Sequence, residues 1–139
     1  MGKKKESVFF REIPIPIRKN KIPYFSVYYV FKNGKSHVKE AFDKLQKDCK
    51  KNIRSLIIRM ATNYPPYYKS DLINWELEGN KYSYGEIIHH PHRFFFFRFE
   101  DSLIFFGYIS KKVNKLPDNT YKSYQKKKDE YEKYFRNRI

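Results

Sequence analysis

Three of the four histidines fall within four residues, in His89-His90-Pro91-His92, and an arginine, Arg93, follows at once. Imidazoles take and give protons near neutral pH, and a guanidinium holds a phosphate bidentately as charge builds on it. These groups together suit phosphoryl transfer. Two other readings of the same residues stand beside that one. Three neighbouring imidazoles could share a metal ion, although the usual ligand spacings are missing and no carboxylate lies inside the cluster. A hairpin turn that tolerates polar residues would also place them there. Elsewhere the chemical signals are weaker. Cys49 sits among Asp48, Lys50 and Lys51 with no histidine in sequence reach, which reads as a passive thiol. None of the five glycines has the spacing of a phosphate-binding loop. His37 stands alone near a helix start and reads as structural.

Composition bounds what could surround these residues. The chain has 139 residues, enough for one domain, and carries a net charge of +15. The excess is uneven: net +7 over residues 1–35, +2 over 36–108 and +6 over 109–139. A nearly neutral middle with basic ends attracts polyanions, and nucleic acid is the commonest partner of so small a basic domain. A merely solvated basic surface is the plainer reading. No basic amphipathic helix stands out to suggest an anionic membrane. Aromatic residues make up 19% of the chain, so it can bury a core and is no disordered basic tail. A single cysteine rules out a disulfide scaffold or a Cys-based zinc module. No apolar run reaches membrane-span length and the start shows no signal-peptide pattern, so a cytoplasmic protein is expected.

The order of elements follows from pattern and punctuation. Residues 1–23 hold Pro14, Pro16 and Pro23 among basic residues and read as an arm that is ordered in part at most. The domain proper is expected over 24–139. Tyr24–Phe31 reads as a strand closed by the turn Asn33-Gly34. Ser36 can cap a helix carrying Val38, Ala41, Phe42 and Leu45 at i, i+3, i+4, i+7. The polar stretch from Lys47 to Lys51 interrupts that stripe. It resumes with Ile53, Leu56, Ile57, Met60 and Ala61 in a second helix that stops before Tyr64-Pro65-Pro66. Leu72–Leu77 and a turn at Glu78-Gly79-Asn80 follow. Tyr82–His90, Arg93–Phe99 and Leu103–Ser110 read as an antiparallel meander. Phe94–Phe97 and Leu103–Phe106 do not alternate with polar residues, so both faces of these strands need cover. The helical hairpin can cover one face. Lys111–Lys115 is a basic loop, and a semi-buried helix from Asp118 carries Tyr121, Tyr124, Tyr131 and Phe135 near one side. Alternation puts Arg93, Phe95, Phe97 and Phe99 on one face of their strand, with Phe94, Phe96 and Arg98 on the other. Arg93, at the strand start, is expected to reach the sheet rim. Tyr108, Tyr121 and Tyr124, near the basic loop, could stack on bases or cover the sheet.

Several stretches carry a family resemblance. Leu77-Glu78-Gly79, Lys81-Tyr82, Tyr84 and Glu86, then His92-Arg93-Phe94-Phe95-Phe96, then Gly107-Tyr108-Ile109-Ser110-Lys111-Lys112-Val113-Asn114-Lys115-Leu116-Pro117 together resemble the RelE/HigB superfamily of type II toxins. Tyr28-Tyr29-Val30-Phe31, Asn33-Gly34 and Ser36 resemble the first strand and turn of its phage-derived HigB-like branch. The Lys-Lys-x-x-Lys-x-Pro stretch is the most specific part, and the likeness runs from about residue 24 to the end. It implies an α+β, microbial-RNase-like fold, with an N-terminal strand and helical hairpin packed on an antiparallel sheet and a C-terminal helix. The implied function is metal-free, cofactor-free cleavage of mRNA, usually on the ribosome, neutralised by a cognate antitoxin and without a membrane. By the same resemblance Arg93 is the phosphate-binding strand arginine. His92, Lys112 and Tyr121 match functional positions of some members, and His89 stands where the family has a basic residue. Lys111, Lys115, Tyr108, Tyr124 and Arg98 complete the expected RNA contacts. Two alternatives remain: a ParE-like or phage-encoded relative that binds a protein such as gyrase without cutting RNA, and a non-catalytic nucleic-acid-binding module.

Overall fold

The computed structural model describes residues 7–16, 22–66, 70–74 and 82–138. Its elements run β1 (Val8–Ile13), β2 (Ser26–Lys32), α1 (His37–Asp43), α2 (Lys47–Ala61), β3 (Ile73–Asn74), β4 (Gly85–His89), β5 (His92–Phe99), β6 (Ser102–Ser110) and α3 (Asp118–Arg136). They build one six-stranded sheet in the order β1-β2-β6-β5-β4-β3. The expected strand, helical hairpin, meander and terminal helix are all present, in that order. The α+β class is therefore right, but the sheet is mixed rather than antiparallel. β2 runs parallel to β6, with Ser26 opposite Ser102 and Tyr29 opposite Phe105, while every other pairing is antiparallel. The helical crossover carries the chain from β2 to the far side of the sheet, and the meander then returns it to β2 in β2's own direction.

Several expectations need correction. The N-terminal arm supplies a strand: Val8–Ile13 pairs with β2 from Val8 opposite Lys32 to Ile13 opposite Val27, so these residues belong to the sheet. The polar run from Lys47 is no break but the first turn of α2, whose Lys and Asn residues face outward while Cys49 and Ile53 face in. Leu45 lies after α1 and is buried in the connection all the same. Finally, the aromatic stripe of α3 is set deeper than expected: Tyr121, Tyr131 and Phe135 are buried and Tyr124 is half-buried. The proposed strand beyond Asn74 and the turn at Glu78-Gly79-Asn80 fall outside the described residues.

The unbroken apolar runs of β5 and β6 have cover on both sides. One core, with Ile53, Ile57, Met60, Ile87, Phe94, Phe96, Leu103 and Phe105, lies between the sheet and the α1–α2 hairpin. The other, with Tyr84, Phe95, Phe97, Ile104, Phe106, Tyr121 and Phe135, lies beneath α3. Full burial of a phenylalanine contributes roughly 1.5–3 kcal/mol, so the four consecutive rings of Phe94–Phe97 anchor both layers. Ser36 caps α1 as expected, its Oγ accepting from the Lys39 N–H at 3.1 Å. Two tight turns close the meander. Glu100-Asp101 joins β5 to β6, with Glu100 at φ 52°, and His90-Pro91 joins β4 to β5. Among the described residues no helix is long and apolar enough to cross a membrane.

Candidate functional site

The β4–β5 turn gathers the imidazoles at one end of the sheet. His89 and His92 are directly paired across the hairpin, and His90 lies exposed in the turn. Strand alternation turns His89, with Ile87, and His92, with Phe94, toward the α1–α2 side. Each imidazole meets a different partner there. His92 Nδ1 shares a hydrogen bond with Tyr108 Oη at 2.7 Å. His89 Nδ1 lies 3.4 Å from Cys49 Sγ, on the first turn of α2. Tyr108 is held by Phe94 at 4.9 Å and by His37, edge-on, at 5.7 Å. Burial, and to a smaller degree the like charge of His89, hold the His92 imidazole below its ordinary value of 6.5. Burial likewise raises the Cys49 thiol, so it stays protonated at neutral pH.

The basic loop folds onto the same turn. The Lys111 N–H donates to the Pro91 carbonyl at 3.0 Å, which seats the start of the loop beside the imidazoles. Lys111, Lys112 and Lys115 are exposed. His90, Pro91, Lys112 and Asn114 line an open cleft of about 300 Å³ between turn and loop. Imidazole and ammonium groups thus share one rim of the molecule. Among the described residues no three of His, Cys, Asp and Glu converge on a point that would hold a metal ion.

Arg93 is not at that rim. Its side chain passes to the α3 side and is 1% exposed. There Nη2 donates to the carbonyls of Val113 at 2.5 Å and Asn114 at 3.1 Å, and Nη1 faces the Glu86 carboxylate at 3.4 Å. Its Nε finds no hydrogen-bond partner among the described residues. Tyr121 Oη donates to Glu86 at 3.0 Å from above. Burial raises the Glu86 carboxyl, against the opposing pull of Tyr121 and Arg93, and the Tyr121 phenol is pushed up to about 12, chiefly by burial. The network ties loop, sheet and α3 together from inside. The alternation rule placed Arg93 on the correct face; what it could not show is that α3 and residues 113–116 close over that face.

The other expected contacts are dispersed. Tyr121 is buried in the network, and Tyr124 packs on Phe95 at 4.3 Å and donates to the Tyr108 carbonyl at 3.1 Å. Both rings are occupied by the fold. Tyr108 is half-buried against His92 rather than open for stacking. Arg98 sits at the far end of β5 from the histidine turn, its guanidinium over the rings of Phe25 and Tyr64. Sequence reading missed the Cys49–His89 contact, because it joins residues forty positions apart on a helix and a strand. The amphipathic stripe of α2 was the one available signal, since it puts Cys49 on the helix face that meets the sheet.

Fold and site together define an α+β protein whose six-stranded mixed sheet carries an imidazole turn and a basic loop at one rim. No family model, no curated protein and no solved structure matches the chain.

Proposed function

We propose that the protein is a metal-independent endoribonuclease of the RelE/HigB toxin type, acting on mRNA and held in check by an antitoxin. The observation that carries this reading is the bond from the Lys111 N–H to the Pro91 carbonyl, which joins the basic loop to the imidazole turn. A plain RNA-binding module gains nothing from titrating groups beside a phosphate-binding loop, whereas a nuclease needs both.

In this reading the Tyr108 phenol accepts the Nδ1–H of His92, leaving the Nε2 lone pair as the base. His92 Nε2 takes the proton of a ribose 2′-hydroxyl, and the 2′-oxygen attacks the adjacent phosphorus. The bond from phosphorus to the 5′-oxygen breaks, leaving a 2′,3′-cyclic phosphate. A protonated imidazole, His89 or His90, supplies the proton that the departing 5′-oxygen takes up. Lys112, which lines the cleft with His90, balances the extra charge on the phosphoryl oxygens. Arg93 acts one step back, as a positioning residue that holds the carbonyls of the loop. The proposed catalytic set is accordingly His92, His89 or His90, and Lys112, with Lys111 and Lys115 binding RNA.

Induced expression in a bacterial host tests the proposal in the cell. Growth should stop, and primer extension should show new 5′ ends inside reading frames. Arrest with intact mRNA and accumulated gyrase-linked DNA breaks would instead support a protein-binding relative.

A further inference from the structure

A second surface lies at the other end of α2 from the histidine turn. Ile22, Tyr24 and Tyr64 are 74%, 59% and 66% exposed, three of the most exposed large apolar side chains among the described residues. They stand on a rigid base. The N–H groups of Tyr24 and Phe25 both donate to the carbonyl of Ala61, the last residue of α2, at 2.9 and 3.1 Å. Phe25 is buried, and the Tyr64 ring lies over it 5.9 Å away and only 8° from parallel. Tyr64 remains largely exposed, with the Tyr24 ring tilted against it at 51° and 6.0 Å away. Arg98 lies over both rings, with its guanidinium 4.9 Å from the Phe25 centroid and 5.7 Å from that of Tyr64.

The helix between the two ends is basic on its outer side. α2 carries five Lys or Arg residues and one acid, Asp48. Lys47, Lys51 and Arg54 follow one another at i, i+4 and i+7 and are exposed, as is Arg59. At 1.5 Å per residue, about 18 Å separates Cys49, beside His89, from Ala61 beneath Tyr24. That distance suits a strand of several nucleotides, and single-strand binding domains combine such a charged track with open aromatic rings.

We propose that Tyr64, Tyr24 and Arg98 form a stacking platform for an unpaired RNA base, and that the strand reaches it from the histidine turn along the outer face of α2. The proposal rests on the RNA reading above and adds a second contact point to it. A third layer on the Phe25–Tyr64 stack is sequence-tolerant, because every base has a π-face. Arg98 adds a cation beside that stack, available to a base or a phosphate of the bound strand. The apolar side of α2 is packed on the sheet, which leaves its charged side for a polyanion.

The test uses the full-length protein and a fluorescent, uncleavable 2′-O-methyl oligouridylate of ten nucleotides. Tyr64→Leu keeps Phe25 covered and should weaken binding by about five- to a hundredfold, the range measured when one base-stacking ring is removed. The salt dependence should stay as in the wild type, since no phosphate contact is lost. Tyr64→Trp should retain affinity, and its added indole emission should be quenched by the RNA. An oligonucleotide of the same length without bases should bind wild type and Tyr64→Leu equally. If wild type binds the oligouridylate but Tyr64→Leu binds it just as well, the platform is wrong while the RNA reading stands. If wild type does not bind it at all, both fail. A change in sedimentation of Tyr64→Leu with RNA affinity unaltered would assign the patch to protein contact and overturn the proposal.

Discussion

The Tyr108 phenol and Nδ1 of His92 share a hydrogen bond of 2.7 Å across β5 and β6. Phe94 is the residue directly opposite Tyr108, so the pair is diagonal, within the reach of aromatic side chains on one sheet face. The bond engages Nδ1 of the imidazole, and in the proposed reaction Nε2 is the nitrogen that meets the substrate.

Replacing Tyr108 by Phe should therefore lower RNA cleavage without unfolding the protein. The ring keeps its packing on Phe94 and His37, and only the hydroxyl is lost. A fall of roughly tenfold or more in the rate constant is expected for an imidazole no longer held in place. Thermal unfolding should move little. Cleavage and melting measured on one preparation decide the matter, and a full rate with the hydroxyl gone would remove Tyr108 from the account.

The pH dependence follows from the two paired imidazoles. Burial and His89 both hold His92 below its ordinary value of 6.5, so as pH falls it stays neutral, and able to accept a proton, longer than an ordinary imidazole does. The acid limb of the rate profile should accordingly lie below pH 6.5. His89→Gln removes the like charge and should raise the His92 midpoint, moving that limb to higher pH. The same shift has a sign for stability. The folded state resists protonation of His92, so stability is full above about pH 6.5 and declines as pH falls through the lowered folded value. Imidazole NMR titration of both forms checks the direction, and an unchanged or lowered midpoint in His89→Gln would contradict it.

Arg93 should behave as a structural residue with an indirect effect on RNA. Its removal leaves Glu86 buried at 0% exposure without its cation, and the carbonyls of Val113 and Asn114 without their donor. Loss of one partner of a buried pair costs about 3 kcal/mol or more. Arg93→Ala should lower the denaturation midpoint clearly, and Arg93→Lys should recover only part because a point charge cannot serve both the carboxylate and the carbonyls. Urea titration of the three proteins measures this. An Arg93→Ala variant as stable as wild type but dead in cleavage would place the guanidinium at the phosphate after all.

Gly107 offers a test of the α3 interface. A Cβ built there would lie 2.5 and 2.8 Å from the Tyr124 ring and 3.1 Å from Phe95. Gly107→Ala should destabilise the fold by about 1–3 kcal/mol through overpacking. Adding Tyr124→Leu should return part of the loss by making room. Equal stability of Gly107→Ala and wild type would show that α3 yields at this point.

Much of this fold could be read from local pattern, and its site only in part. The apolar spacing of Val38, Ala41 and Phe42 and of Ile53, Leu56, Ile57 and Met60 gave both helices, and the unbroken phenylalanines required cover on two faces. β1 escaped because its prolines, Pro14 and Pro16, lie just beyond Ile13 and colour the whole segment as an arm. The parallel pairing of β2 with β6 is a long-range property with no local signal. At the site, the histidine turn and the basic loop were both legible, because each is contiguous. Arg93 was misplaced for a physical reason: a charge at a strand start reads as exposed unless the loop that buries it is known. The Tyr108–His92 and Cys49–His89 contacts depend on sheet register and helix docking, which spacing alone does not report.

The most direct measurement is cleavage of a single-stranded RNA by purified protein, compared with His92→Ala and with a substrate carrying one 2′-deoxy nucleotide at the cut site. Wild type should cut the all-RNA substrate in the presence of a chelator and leave 2′,3′-cyclic phosphate ends. The deoxy substrate should stay intact, because the attacking oxygen is missing. His92→Ala should bind RNA and melt as wild type does, but cut at least about a hundredfold more slowly, the scale for loss of a general base. RNA left whole by wild type between pH 5 and 8 both free and bound to ribosomes, or cut at the full rate by His92→Ala, would contradict the assignment of the histidine turn as the catalytic centre.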